Sequence, residues 1–284
     1  MEDRSMIAET RRDRLAVYVG VVTFLLFSWI PFYWLIRTSF LENLVAVKPD
    51  SPFIPFLSEG FTITGYIEVW SQYPFDTWFA NSIIVSLGAT TVALILAIPT
   101  AYAFARHDFP GKRLLFYTVV TTIMFPAIVL TIPVYEIFYM LKLLDTLLGI
   151  TIALAIFVQP LCIWLLQGFF RQGLPDNIEE AAQMDGLSRV EAFFRIVLPL
   201  SAPAVAVTAL FAFLSGWNNF TWVYILTQSE GTRTAIVAVH FIMASDVLRD
   251  WNTLMAAVTI LIIPPIIFYG LAQRYVGEGL GSLT

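Results

Sequence analysis

Two stretches of this chain carry side chains whose types and spacing suit recognition chemistry. Between Arg171 and Pro199, the carboxylates Asp176, Glu179, Glu180, Asp185 and Glu191 alternate with Arg171, Arg189 and Arg195 and with the apolar or small Ile178, Ala181, Ala182, Leu187, Phe193, Phe194 and Ile196. Such carboxylates can accept charge-assisted hydrogen bonds from a basic partner, and apolar side chains interleaved with them give a partner something to pack on. The second stretch is Trp217-Asn218-Asn219. An aromatic face beside amides binds sugar hydroxyls and ring faces, although the same residues also pack and hydrogen-bond between membrane helices. Other chemistries are disfavoured. A single cysteine, Cys162, and two histidines far apart, His107 and His240, build neither a disulfide nor a metal cluster within the chain. No Gly-x-x-x-x-Gly-Lys-Ser/Thr loop is present, and the only Gly-Lys pair, Gly111-Lys112, opens an apolar run. No catalytic, metal-binding or cofactor-binding residues are therefore expected in this chain.

The carboxylate-rich segment reads as helix, tight turn, helix. Asp176 and Glu179 have capping-box spacing, Gly186 suits a left-handed helix exit, Ser188 and Glu191 repeat the capping spacing, and the second helix is expected to end before Pro199. Four fates are open to such an element: docking a partner, lying at the lipid interface, binding nucleic acid, or folding back on its own bundle. The acidic balance argues against anionic lipid and against nucleic acid.

The elements that must position these residues are written in the distribution of charge. The chain is 58% hydrophobic and 13% charged over 284 residues, more apolar surface than a water-soluble domain of this size buries. Charge-free runs extend over Leu15 to Ile36, Thr77 to Ala105, Leu114 to Tyr135, Thr146 to Phe170, Ile196 to Ser229 and Trp251 to Gln273, each of 22 residues or longer. Each spans ~30 Å of hydrocarbon as a helix, and helix is favoured because unpaired peptide groups in lipid are costly. The expected fold is an all-α membrane protein with spans at about 15–36, 78–105, 114–135, 147–170, 200–227 and 252–273. A loop over 171–199 joins the fourth and fifth spans within one membrane domain of 15–275, flanked by an N-terminal segment 1–14 and a C-terminal tail 276–284. The first run follows Arg11, Arg12 and Arg14, but it is too long for a signal-peptide core and lacks a small-residue cleavage site before Arg37, so it reads as a retained helix.

With the N-terminus inside, the cytoplasmic segments hold eleven basic residues (Arg4, Arg11, Arg12, Arg14, Arg106, Lys112, Arg113, Arg171, Arg189, Arg195, Arg274) against five outside (Arg37, Lys48, Lys142, Arg233, Arg249). That asymmetry places both termini in the cytoplasm. The outer segments are the proline-rich stretch Thr38 to Asp76 and a charged loop from Gln228 to Asp250 that carries Glu230, Arg233, Asp246, Arg249 and Asp250. The apolar runs contain no Asp, Glu, Lys, Arg or His. Proton- or sodium-coupled transport usually needs such groups in the bilayer, so a self-sufficient secondary transporter is the weaker reading and energy must enter through a partner.

Glu180-Ala181-Ala182, followed by Asp185-Gly186 and Ile196-Val197-Leu198-Pro199, resembles the EAA loop of ABC importer permeases. The resemblance implies a type I importer transmembrane domain in the cell membrane whose loop forms coupling helices seated on an ATPase dimer. On that reading Glu179, Glu180, Ala181, Ala182, Asp185 and Gly186 are the coupling residues. Glu180 would meet a basic residue of the ATPase, the alanines would allow close approach, and Gly186 would set the turn. ATP and Mg would be bound by the ATPase, and the remaining partners would be a second permease and an external solute-binding protein, with no nucleic acid.

Further stretches are similar to the carbohydrate-uptake, maltose-permease-like branch, most of all its G-subunit side. They are Asn81-Ser82, Phe109-Pro110-Gly111-Lys112-Arg113, Met124-Phe125-Pro126 with Pro133-Val134-Tyr135, Leu144-Asp145-Thr146 before Gly149, Trp217-Asn218-Asn219-Phe220 and Gln273-Arg274-Tyr275. The implied substrate is a sugar or oligosaccharide, with glycerol 3-phosphate or a polyol as the alternative and Trp217, Asn218 and Asn219 as solute-path candidates. Two departures stand out: Asn219 replaces an acidic residue common in the branch, and the tail closes early at Gly279-Leu280-Gly281-Ser282-Leu283-Thr284.

Overall fold

In lipid every peptide group must find its partner within the segment, which leaves helix as the economical backbone for long apolar runs. The computed structural model describes residues 11–46, 48, 51–57, 60–175, 177–245 and 251–281. Among these the named elements are all helical, with one isolated antiparallel bridge between Leu41 and Phe61. In chain order the α-helices are α1 (Arg11–Ser39), α2 (Asn43–Ala46), α3 (Thr64–Ser71), α4 (Phe75–Arg106), α5 (Lys112–Thr121), α6 (Thr131–Met140) and α7 (Leu147–Gln172). They continue as α8 (Ile178–Met184), α9 (Arg189–Ala192), α10 (Leu198–Leu200), α11 (Ala202–Trp217), α12 (Thr221–Leu226), α13 (Ala235–Ser245) and α14 (Trp251–Gly281).

Four of these helices are long and apolar enough to cross a membrane, and up to six crossings result if each of two bent pairs counts as one. The run expected over 114–135 is broken at Phe125-Pro126 and bent by 98°. The run expected over 200–227 is preceded by a 72° bend at Ser201, close to its expected start, and is interrupted at Asn218-Asn219-Phe220. Pro126 lacks the N–H that would continue the helix, and its predecessor Phe125 is extended (φ −77°, ψ 128°), as a residue before proline prefers.

The chain divides into two compact units. The first holds residues 1–73 and 245–260. Its centre is Asn252, whose amide donates to the carbonyls of Ser39 and Leu41 at 2.9 Å each, while its backbone N–H donates to Asn43. Gly65 packs so closely on Asn252 that a Cβ there would lie 2.2 Å from the Asn252 Oδ1. Arg37, 1% exposed, is held by a hydrogen bond to the Pro52 carbonyl at 2.8 Å and by the Trp34 ring 4.4 Å away. The helix α1 leaves its apolar side chains outward over nearly its whole circumference, including Phe24 and Phe27.

The second unit, residues 74–244 and 261–284, is organised by α4 and α7. Ala89, Ala93, Ala97 and Ala101, four residues apart and at most 1% exposed, form a small-residue stripe along α4. Against it pack Ala153, Val158, Cys162, Leu166 and Phe170 of α7. Small side chains let two backbones approach and accumulate dispersion contacts in the absence of a hydrophobic drive between helices.

The two helices run parallel. Near their starts, Trp78 and Asn81 donate to the carbonyls of Glu230, Gly231 and Arg233, while the Asp145 N–H donates to Leu226. At their ends, Arg106 reaches the carbonyls of Leu174 and Pro175. The 26 residues of α7 cover about 39 Å at 1.5 Å per residue, so the segments 107–146 and 173–226 each return the chain over that length.

Candidate docking element and cavity

The first helix of the candidate docking element, α8, starts at Ile178. Its N-cap is Asn177, with no side-chain cap bond, and Asp176 lies outside the described residues. Its exit matches the expectation: Gly186 has φ +89°, the Leu187 N–H donates to Ala182 O at 3.1 Å and the Gly186 N–H to Gln183 O at 3.0 Å, which is a Schellman closure. The second helix has the expected capping box. The Ser188 hydroxyl accepts from the Glu191 N–H, and the Glu191 carboxylate accepts from the Ser188 N–H at 3.0 Å. These bonds from Ser188, together with Arg195 3.5 Å away, hold the Glu191 carboxyl below its ordinary pKa.

The expected stop before Pro199 is not observed, because the helical run continues through a π-turn at Phe193–Val197 to Leu200. A π-turn widens the coil just where a proline ring would crowd the carbonyl one turn back. The real break falls at Ser201, whose hydroxyl donates to Val197 O at 2.7 Å.

Burial sorts the coupling candidates onto two faces. Ala182 is 2% exposed and Glu179 is partly buried, whereas Glu180, Ala181, Asp185 and Gly186 are exposed. Beside them stand exposed apolar side chains: Met184 at 84%, Val190 at 66% and Phe194 at 60%. Glu179 turns toward α4. Its Oε1 accepts from the Tyr102 hydroxyl at 3.2 Å and lies 3.6 Å from the Arg106 Nε, with the two charged side chains only 17% and 11% exposed. A pocket of about 640 Å³ opens beside this cluster, lined among others by His107, Glu180, Arg189 and Phe193. Sequence reading gave Arg106 only a place in the charge count; nothing in its spacing from Glu179, 73 positions away, pairs them.

The solute-path candidates are likewise separated. Trp217 is 4% exposed, stacks on Phe213 and donates to Leu261 O at 3.2 Å. Asn218 is exposed and its amide donates back to Leu214 O. Asn219 accepts from the Trp222 N–H at 3.0 Å, starting α12, and lines a cavity of about 1170 Å³. Tyr117, Thr118, Thr121, Thr122, Gln159 and Ser215 contribute further hydrogen-bonding side chains there, and Trp222 and Phe157, stacked at 3.9 Å, give it aromatic surface. Among its lining residues there is no Asp, Glu, Lys, Arg or His. Of the polar members, sequence reading singled out Asn219 alone; Tyr117, Gln159 and Ser215 carry no local signal.

At the far end of α4 and α7, Asp145 (φ +56°) accepts from the N–H groups of Gln228 and Ser229 at 2.9 Å each and from the Thr232 hydroxyl. Burial pushes its carboxyl up, but these bonds, that from Thr232 foremost, outweigh it and hold the group down, at about 2. In the expected outer loop, Asp246, Arg249 and Asp250 lie outside the described residues.

Comparison with known proteins gives the same architecture a wider setting. The profile of the family described as binding-protein-dependent transport system inner membrane component matches residues 89–281. The chain is 33% identical over 272 residues to the trehalose transport system permease protein SugB of Mycobacterium tuberculosis, covering 95% of this chain and 97% of that protein. It is 31% identical over 269 residues to the trehalose/maltose transport system permease protein MalG of Thermococcus litoralis, covering 94% and 95%. A solved bacterial ABC transporter involved in the import of the acidic polysaccharide alginate superposes with a TM-score of 0.76 at 25% identity, over 94% of this chain and 98% of that one.

Proposed function

The chain belongs to the binding-protein-dependent transport system inner membrane components, transport subunits that are not themselves enzymes, and we propose that it is the permease of an ATP-driven importer for a sugar or oligosaccharide. The observation that carries this reading is the capped helix pair at one end of α4 and α7, with Glu180, Ala181, Asp185, Met184, Val190 and Phe194 exposed together. A projecting face of small and apolar side chains with carboxylates at hand is suited to a protein partner. In this reading the partner is an ATPase dimer that holds ATP and Mg, and the segment 171–199 is the EAA coupling loop. The return of the chain through each bent pair supports six crossings in one permease domain of 15–275, and the basic-residue asymmetry supports cytoplasmic segments 1–14 and 276–284. A second permease would complete the path, and an external binding protein would deliver the solute.

Nucleotide-driven closure of the ATPase would displace the docked helices and shift the bundle between inward-open and outward-open states, which the ligands must bind with different affinity for any shift to occur. The solute reading rests on the cavity at Asn219. Its amides, hydroxyls and aromatic rings suit polyhydroxylated solutes, and its uncharged lining favours a neutral sugar over glycerol 3-phosphate, whose phosphate would need a cation or a helix start to meet it.

The test is co-purification followed by uptake. A partner carrying a phosphate-binding loop should accompany the wild-type chain, and Glu180→Ala or Gly186→Pro should weaken that association or uncouple hydrolysis from uptake. Normal transport by both variants would remove the docking assignment. Uptake of labelled glycerol 3-phosphate in preference to a neutral disaccharide would remove the sugar assignment.

A further inference from the structure

Glu179 and Glu180 are neighbours in sequence, yet the structure gives them opposite surroundings. Glu180 is exposed, whereas Glu179 is folded against Arg106 and Tyr102 of α4. From this we infer that Glu179, Arg106 and Tyr102 form a joint that carries displacement of the docking helices into α4, the helix that also packs along α7 and α11.

Arg106 sits in the last turn of α4, and its guanidinium makes three attachments at once: to the Leu174 carbonyl at 3.0 Å, to the Pro175 carbonyl at 3.2 Å and to the Glu179 carboxylate at 3.6 Å. The end of α4, the chain leaving α7 and the first turn of α8 are thereby tied at one charged group. Tyr102, one turn earlier on α4, holds the same carboxylate oxygen and packs its ring at a tilt against Phe193, centroids 4.7 Å apart, at the start of the π-turn that follows the second docking helix. Both helices of the docking element are thus attached to the same stretch of α4. An ion pair between side chains 11% and 17% exposed is screened far less than a surface pair. Leaving either charge there without its partner is costly, so the elements are favoured to move together. The inference rests on the docking reading above, and it assigns Glu179 to the interior of this chain as a positioning residue, with Glu180 left to face the partner.

The experiment uses the complete importer, with permease pair, ATPase dimer and external binding protein, in proteoliposomes, with solute uptake and ATP hydrolysis measured in the same preparation. Glu179→Gln and Tyr102→Phe are expected to leave the amount of co-purified ATPase unchanged while lowering solute moved per ATP, Glu179→Gln by about 5-fold or more. The exchanged pair Arg106→Glu with Glu179→Arg should recover part of the ratio lost by either single change, which a general loss of stability would not do. In a Cys162→Ala background, a short thiol cross-link between Tyr102→Cys and Glu179→Cys should preserve transport, because a joint that moves as one body tolerates being tied. An unchanged ratio in Glu179→Gln overturns the inference, as does loss of ATPase binding by that variant, which would make Glu179 a partner contact, or arrest by the cross-link. If the wild-type chain brings down no ATPase, the docking reading itself fails; a normally assembled complex with full coupling in Glu179→Gln removes only the joint.

Discussion

The two ends of the α4 and α7 pair are fastened by different chemistry. At one end Asn81 and Ser82 of α4, and Asp145 ahead of α7, engage mainly backbone groups of residues 226–235 together with the Thr232 hydroxyl. At the other end a guanidinium, a carboxylate and a phenol tie α4 to a pair of short helices whose outer face is left exposed. Backbone hydrogen bonds to a buried amide fix one geometry, because each donor or acceptor is stranded if the loop shifts. A side-chain joint on short helices moves as a unit and suits a lever. The comparison assigns rigidity to the first end and transmission to the second.

Gly186→Pro should produce the largest effect, since a φ of +89° is closed to proline and the Gly186 N–H to Gln183 bond is lost as well; ATPase recovered on purification should fall by about tenfold or more, which pull-down quantifies. Asn81→Leu at the fastened end should come next. It strands the carbonyls of Gly231 and Arg233 at a site 5% exposed, and a loss of about 2 kcal/mol is expected, read from thermal unfolding in detergent. If that variant instead uncouples hydrolysis with stability intact, the assignment of rigidity to this end is wrong.

Asp145→Asn keeps the shape and the tolerance for positive φ but removes the charge, so a loss of about 1 kcal/mol is expected. Because the folded carboxyl is held down at about 2, its contribution is fully present above the ordinary carboxylate range and is lost progressively as pH falls from that range through about 2. Amide exchange of residues 228–232 should therefore be flat with respect to this group from pH 5 to 8, and a step in that window would contradict the brace. The smallest effect is expected for Ser188→Ala, which removes the capping box. A few-fold faster amide exchange over residues 189–191, with the Gly186 turn unaffected, is the outcome to measure.

Much of the docking element was legible in the sequence because its signals are local. A capping box needs two residues three apart, and a left-handed helix exit needs a glycine; both are present at Ser188, Glu191 and Gly186. The alanine stripe at 89, 93, 97 and 101 emerged only from its packing against α7. What failed was continuity. Charge-free runs report that a segment tolerates lipid but not that it stays whole, so the interruption at Asn218-Asn219-Phe220 and the size of the 98° bend at Phe125-Pro126 did not emerge. Proline alone does not mark them, since Pro99 and Pro160 lie inside unbroken α4 and α7.

The sequence by itself determined that this chain is a membrane permease, because hydropathy, charge placement and short motifs depend on near neighbours along the chain. Only the tertiary structure decided which residues work together: that Glu179 answers to Arg106 and Glu180 to the exterior, that Trp217 packs while Asn219 lines a cavity, and that Asp145 braces a loop 83 or more positions away. Those pairings depend on which helix faces are brought together when α4, α7 and α11 pack, and a face is a property of two surfaces in contact that neither strand of sequence specifies alone.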